Sequence, residues 1–139
     1  MAYTVAQVMR RALFRIHVLQ AGETPNATDA ALALDAYNGM MFGFEAAGLT
    51  LHDADDVAYT VAVQAQADDI PLADKHYEGL AAILASRMPD DFGAQISPVL
   101  ARDIQDAWAR MYGDFLEVGT MTLDRSLTRL PSQTDEWQA

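Results

Sequence analysis

A chain of 139 residues, 51% hydrophobic and 21% charged, is the size of one domain with one core, and no apolar run reaches the roughly 18 residues that a bilayer crossing needs. The absence of cysteine excludes disulfides, thiolate metal sites and cysteine nucleophiles. A net charge of −11 disfavours nucleic-acid binding driven by counterion release.

That charge is uneven. Residues 1–20 carry Arg10, Arg11 and Arg15 with no acid, whereas residues 21–117 carry 4 basic and 17 acidic residues. The opening Met1-Ala2-Tyr3-Thr4-Val5 lacks a charged segment followed by an apolar one. No secretory signal is expected, and synthesis in the cytoplasm follows.

Thr4 is placed as an N-cap, and Val5, Met9, Ala12, Leu13, Ile16 and Leu19 then recur at the helical period. This predicts an amphipathic helix of about four turns, stopped at Gly22. After the turn Ala21-Gly22-Glu23-Thr24-Pro25, Asn26 and Asp29 predict the start of a long second helix. It runs through Leu34, Tyr37, Met41 and Phe44 to Ala47, with Gly48 as a left-handed cap. Gly39 and Gly43 each cost about 1 kcal/mol of helix propensity relative to alanine, so their spacing predicts the close approach of another backbone.

From Leu49 the period becomes two. Leu49 and Leu51, then Val57, Tyr59, Val61 and Val63, flank the acidic turn Asp53-Ala54-Asp55-Asp56, which predicts a β-hairpin near 49–64. A lone hairpin is marginal in water, so it is expected to lean on the helices or to add to a neighbouring subunit. Tyr77, Leu80, Ala81, Leu84 and Met88 predict a third helix ended by Pro89. Ser97 as N-cap with Pro98 at the first helical position predicts a fourth, whose stripe is Leu100, Ile104, Trp108, Met111 and Phe115.

Past residue 117 the helical period is lost. Met121, Leu123, Leu127, Arg129, Leu130 and Trp137 then lie on an expected extended arm over 118–139, whose apolar residues suit docking into grooves of a partner. An untethered tail is the alternative. The expected class is therefore mainly α: a helical domain over 1–117 with a small hairpin, followed by the arm.

Sites of chemistry are few. His17, His52 and His76 do not fall at metal-ligand spacings, so neither metal nor cofactor is expected. Asp53, Asp55 and Asp56 imitate the start of a calcium loop, but Ala58 stands where glycine is needed and Gln64 where glutamate is needed. No phosphate loop or serine elbow is present, and Ser97 is better used as a cap. Paired carboxylates remain: Glu45, beside Phe44 and Ala46, and Asp53 in the following loop are candidates for a small peptidoglycan hydrolase, which needs two acids about 5 to 9.5 Å apart. With 20 acids a coincidental pair is expected, which favours a non-catalytic protein.

The arginine triplet Arg10, Arg11 and Arg15 disfavours its own helix unless acids answer it. The candidate partners are an acidic face of the same or a neighbouring subunit, an acidic surface of another protein, or DNA. A basic stripe on an acidic body can pair head to tail, and such a contact closes into a ring when its rotation allows.

The first helix with Ala21-Gly22-Glu23-Thr24-Pro25, then Ala30, Ala33-Leu34, Tyr37-Asn38-Gly39-Met40 and Gly48-Leu49, resembles the tail accessory factor or head-completion adaptor family of short-tailed phages. Asp69-Ile70-Pro71-Leu72, Leu80-Ala81-Ala82-Ile83-Leu84-Ala85 and Ser97-Pro98 continue the resemblance, which covers about residues 3–116. It implies a mostly helical structural subunit of the virion, at the head-tail junction. Twelve copies would form a ring beneath the portal protein and above a tail or nozzle protein, letting double-stranded DNA pass and helping to retain it. It also implies that the C-terminal arm, with Leu127, Leu130 and Trp137, reaches along the portal. The acidic middle would then line a channel in which DNA slides without binding. A monomeric regulatory module is a further alternative, in which removing residues 118–139 would leave assembly unaltered.

Overall fold

In a computed structural model, which describes residues 2–116, Thr4 opens α1 (Val5–Arg15) through a reciprocal capping box with Gln7. The Thr4 hydroxyl accepts from the Gln7 N–H, and the Gln7 side chain accepts from the Thr4 N–H. The N–H groups of Val5 and Ala6 have no intrahelical acceptor either, and they donate to the carbonyls of Asp68 (2.8 Å) and Gln66 (3.0 Å). A loop some sixty residues downstream thus completes the cap.

α1 is a turn shorter than its apolar period predicts. His17, at φ 63°, takes the left-handed position, and the Val18 and His17 N–H groups donate back to the Leu13 and Phe14 carbonyls (both 3.0 Å). This is a Schellman closure with histidine where glycine is usual. Ile16 and Leu19 are buried all the same, because the chain turns back over the core. Their burial was legible as periodicity, whereas the helix end was not. Gly22, expected to end the helix, instead serves the following turn at φ 84°. Replacing His17 by glycine relieves the left-handed strain and is expected to raise stability by roughly 0.5–1 kcal/mol, read as a shift in the urea midpoint.

α2 (Ala27–Ala46) starts at Asn26, whose side chain accepts from the Asp29 N–H (2.8 Å), and ends at Gly48, at φ 85°. Its Gly39 and Gly43 do not meet a backbone. The guanidinium of Arg87 lies over them, with Nη1 3.2 Å from where a Gly43 Cβ would stand and Nη2 3.8 Å from the Gly39 equivalent. A long flexible side chain fills the space that the glycine spacing assigned to main chain.

Among the described residues, 49–64 carries no regular strand. A single antiparallel bridge joins His52 and Ala58. Two ladder bonds accompany it, Asp53 N–H to Val57 O (2.9 Å) and Tyr59 N–H to Leu51 O (2.8 Å). The turn is closed by Asp53, whose Oδ1 accepts from the N–H groups of both Asp55 and Val57 (2.9 Å each). Further along, the segment is held to α2 by side chains. The Asn38 amide exchanges two hydrogen bonds with the Gln64 backbone (2.9 and 3.2 Å), and the Tyr37 hydroxyl donates to Gln64 Oε1 (2.8 Å).

A 3₁₀ turn (Asp74–His76) leads into α3 (Tyr77–Arg87), in which six consecutive residues, Leu80–Ala85, are buried. A helix buried on every side is central, and α3 is covered by α5 and α1, with α2 at its edge. Pro89 stops α3 as expected and opens α4 (Pro89–Phe92), a single turn closed by Gly93 at φ 63°. α5 (Pro98–Phe115) is capped by the Ser97 hydroxyl, which accepts from the Leu100 N–H (3.1 Å). α3 and α5 approach closely where Gly79 faces Ala107, and Trp108 meets Phe44 of α2 edge to face at 5.3 Å. The described residues are thus mainly helical, and none of their helices is long and apolar enough to cross a membrane.

Candidate interface surfaces

The arginines of α1 meet acids from two other helices. Arg11 Nε lies 3.2 Å from Glu78 Oε2 on α3, with its guanidinium 5.5 Å from the Phe14 ring. Arg15, mostly buried, pairs with Asp103 on α5 and lies 4.0 Å from Glu78. The expected acidic answer to the triplet therefore comes, for these two, from within the chain. Arg10 is exposed and has no ion-pair partner among the described residues. It walls a groove of about 320 Å³ with Gln7, Arg11, Phe14, Gln20 and Tyr77. Tyr77 is fixed by stacking on Tyr3 (centroids 3.9 Å apart) and by a long bond to the Gln7 carbonyl (3.4 Å). Burial pushes its phenol above the ordinary tyrosine value, Glu78 adds to this, and Arg11 opposes it.

Two other surfaces lack cover among the described residues. The backbone of Thr60–Val63 has no hydrogen-bond partner there, and Val63 is 76% exposed. An open extended edge of this kind is a template for pairing with another chain. The outer part of α2 presents two large apolar side chains, Leu32 (38% exposed) and Phe42 (43%), together with the exposed Asp35.

The two acids expected as a carboxylate pair do not share a site. Glu45 is exposed and lines a depression with Leu49, Leu51 and Tyr59, whereas Asp53 lines a different one with His52, His76 and Asp114. Asp53 Oδ1 is already engaged by two backbone N–H groups. Among the described residues no three of His, Asp and Glu are placed to hold a metal ion.

His76 is the one buried polar side chain among the described residues, packed against the Phe115 ring (4.9 Å) with Nε2 3.4 Å from Asp114 Oδ2. Burial holds its imidazole below the ordinary histidine value; Asp114 pulls the other way, and Lys75 reinforces the lowering. The unfolded chain therefore binds the proton at a higher pH than the folded one. The stabilisation is complete above the ordinary value of about 6.5 and is lost as pH falls from there through the folded value. Urea midpoints are expected to drop between pH 7 and 5, and His76→Gln is expected to flatten that slope.

Of the residues expected to form interfaces, Arg10, Arg11 and Arg15 share one helix, but only Arg10 and Arg11 line the groove and Arg15 faces a separate depression with Glu78 and Asp103, while Leu123, Leu127, Arg129, Leu130 and Trp137 lie outside the described residues. The clamp of Tyr37 and Asn38 on Gln64 has no local signal, since its partners are 26 and 27 residues apart. The His76–Asp114 pairing is equally remote in sequence. No protein-family model and no curated protein matches the chain.

Proposed function

We propose that the chain is a non-catalytic structural subunit of a phage head-to-tail connector, docking beneath the portal protein as a ring of twelve copies in the virion. In this role the ring extends the DNA channel, helps to retain packaged DNA and attaches a tail or nozzle protein below. The observation that carries it is the open edge at Thr60–Val63: Val61 turns into the core while Val63 is exposed, the backbone is unpaired among the described residues, and side chains anchor the segment. Such an edge suits pairing with a neighbouring copy. The hairpin and connector-type helical bundle of the resemblance belong to the same reading, with the edge completing its sheet only between subunits.

Further support is electrostatic. No acid among the described residues is buried, so the negative charge of 21–116 is displayed at the surface, as a wall past which DNA slides without sticking requires. The arm over 118–139 is assigned to the portal, with Leu123, Leu127, Arg129, Leu130 and Trp137 as its contacts.

The test is the mass of the purified chain, alone and mixed with the portal protein encoded beside it, by light scattering behind a sizing column. A ring-sized species, or a monomer that joins the portal stoichiometrically, is expected. A monomer that ignores the portal would sink the proposal.

A further inference from the structure

The α1 groove has the chemistry of a receptor for an acidic segment with an aromatic anchor. Arg10 is exposed without an ion-pair partner among the described residues, and Arg11 shares its charge with Glu78. Between them Phe14 is 39% exposed, and Tyr77 forms a wall already fixed by Tyr3. A volume of about 320 Å³ is at the lower limit for small-molecule pockets and suits one large side chain. The body of the chain is otherwise strongly acidic, so this groove is where it attracts negative charge.

The chain carries a segment of matching chemistry. Within residues 117–139, Trp137 is the sole aromatic residue, and it directly follows the acids Asp135 and Glu136. Reach permits the contact. The described chain leaves at Leu116, bridged to Leu49, and the neighbouring Phe115 packs on His76, the residue before Tyr77. The 19 steps from Leu116 to Asp135 span about 60 Å when extended, against a domain about 35 Å across. A tether of that length presents its tip at an effective concentration of about millimolar, far above that of any second copy in dilute solution.

We propose that in the isolated chain the segment Asp135-Glu136-Trp137 docks into this groove of its own subunit. Trp137 lies against Phe14, and the two carboxylates face Arg10 and Arg11. This is a property of the free chain, so its failure would leave the connector reading intact. Under that reading, portal docking draws on an arm that must first be released.

The chain has no cysteine, which makes a cross-link unambiguous. In the 139-residue chain Gln20→Cys, at the groove rim, is combined with Gln138→Cys and oxidised at low micromolar concentration. The expected product is a monomeric disulfide loop on a non-reducing gel. Adding Asp135→Lys with Glu136→Lys is expected to slow its formation about fivefold, as loss of exposed charge pairs should, and adding Arg10→Glu to that variant to restore part of the rate. A rate indifferent to charge reversal, or no loop at all, overturns the docking. Cross-linked dimers in place of loops overturn it too, and name a second copy as the occupant.

Discussion

Replacing Leu84 by alanine is expected to lower the stability of the fold by about 3 kcal/mol, because the side chain is fully enclosed on α3, the helix against which α1, α2 and α5 pack, and the surroundings cannot fully close on the space it leaves. Urea denaturation reads this as a lower midpoint at unchanged slope. Leu32→Ala on the outer face of α2 is the comparison. That side chain is 38% exposed in the described chain and its loss is expected to cost well under about 1 kcal/mol. Equal losses at the two positions would mean that α3 is not the axis of the core.

Replacing Asn38 by alanine is expected to cost about 2 kcal/mol, since it strips both hydrogen bonds from the Gln64 backbone in a partly buried setting. Asn38→Asp separates the two bonds. A carboxylate still accepts from the Gln64 N–H but cannot donate to the Gln64 carbonyl, so it is expected to fall between wild type and the alanine variant or below both. Amide exchange at Gln64 should accelerate in each case while exchange in α3 follows only the global loss. If Gln64 exchange is unmoved by Asn38→Ala, the segment is held by something other than this amide.

The helix starts were legible because their signals are local. Thr4, Asn26 and Ser97 each place a side-chain oxygen within three residues of the N–H it accepts from, and each is found doing so, from Gln7, Asp29 and Leu100. Gly48 likewise closes α2 in the left-handed conformation that glycine adopts readily. What escaped depends on distant residues. His17 looks like an ordinary helical position until its carbonyl partners are known, and Gly39 and Gly43 announce a close approach without saying that it is the side chain of Arg87. Alternating Val57, Tyr59, Val61 and Val63 describes an extended segment correctly, but a ladder requires a second strand, and alternation does not supply one. For the interface residues, the charge of the α1 triplet was visible, whereas its division into the paired Arg11 and Arg15 and the outward Arg10 required Glu78 and Asp103, respectively 67 and 88 residues away along the chain from their partners.

The central place of α3 also sets a timetable. α1 is finished early in synthesis, yet its N-terminal cap waits for residues 66–68, and the apolar stripe carrying Val8, Met9 and Leu13 waits for α3 to emerge. Contacts that span most of the chain are made slowly, because a long loop must close before any of them stabilises the product. The first half of the protein therefore leaves the ribosome with greasy helices and no core to hide them in. Nascent chains stalled before residue 87 are the ones that a holding chaperone should bind, and those stalled after α5 has cleared the exit tunnel are the ones it should release.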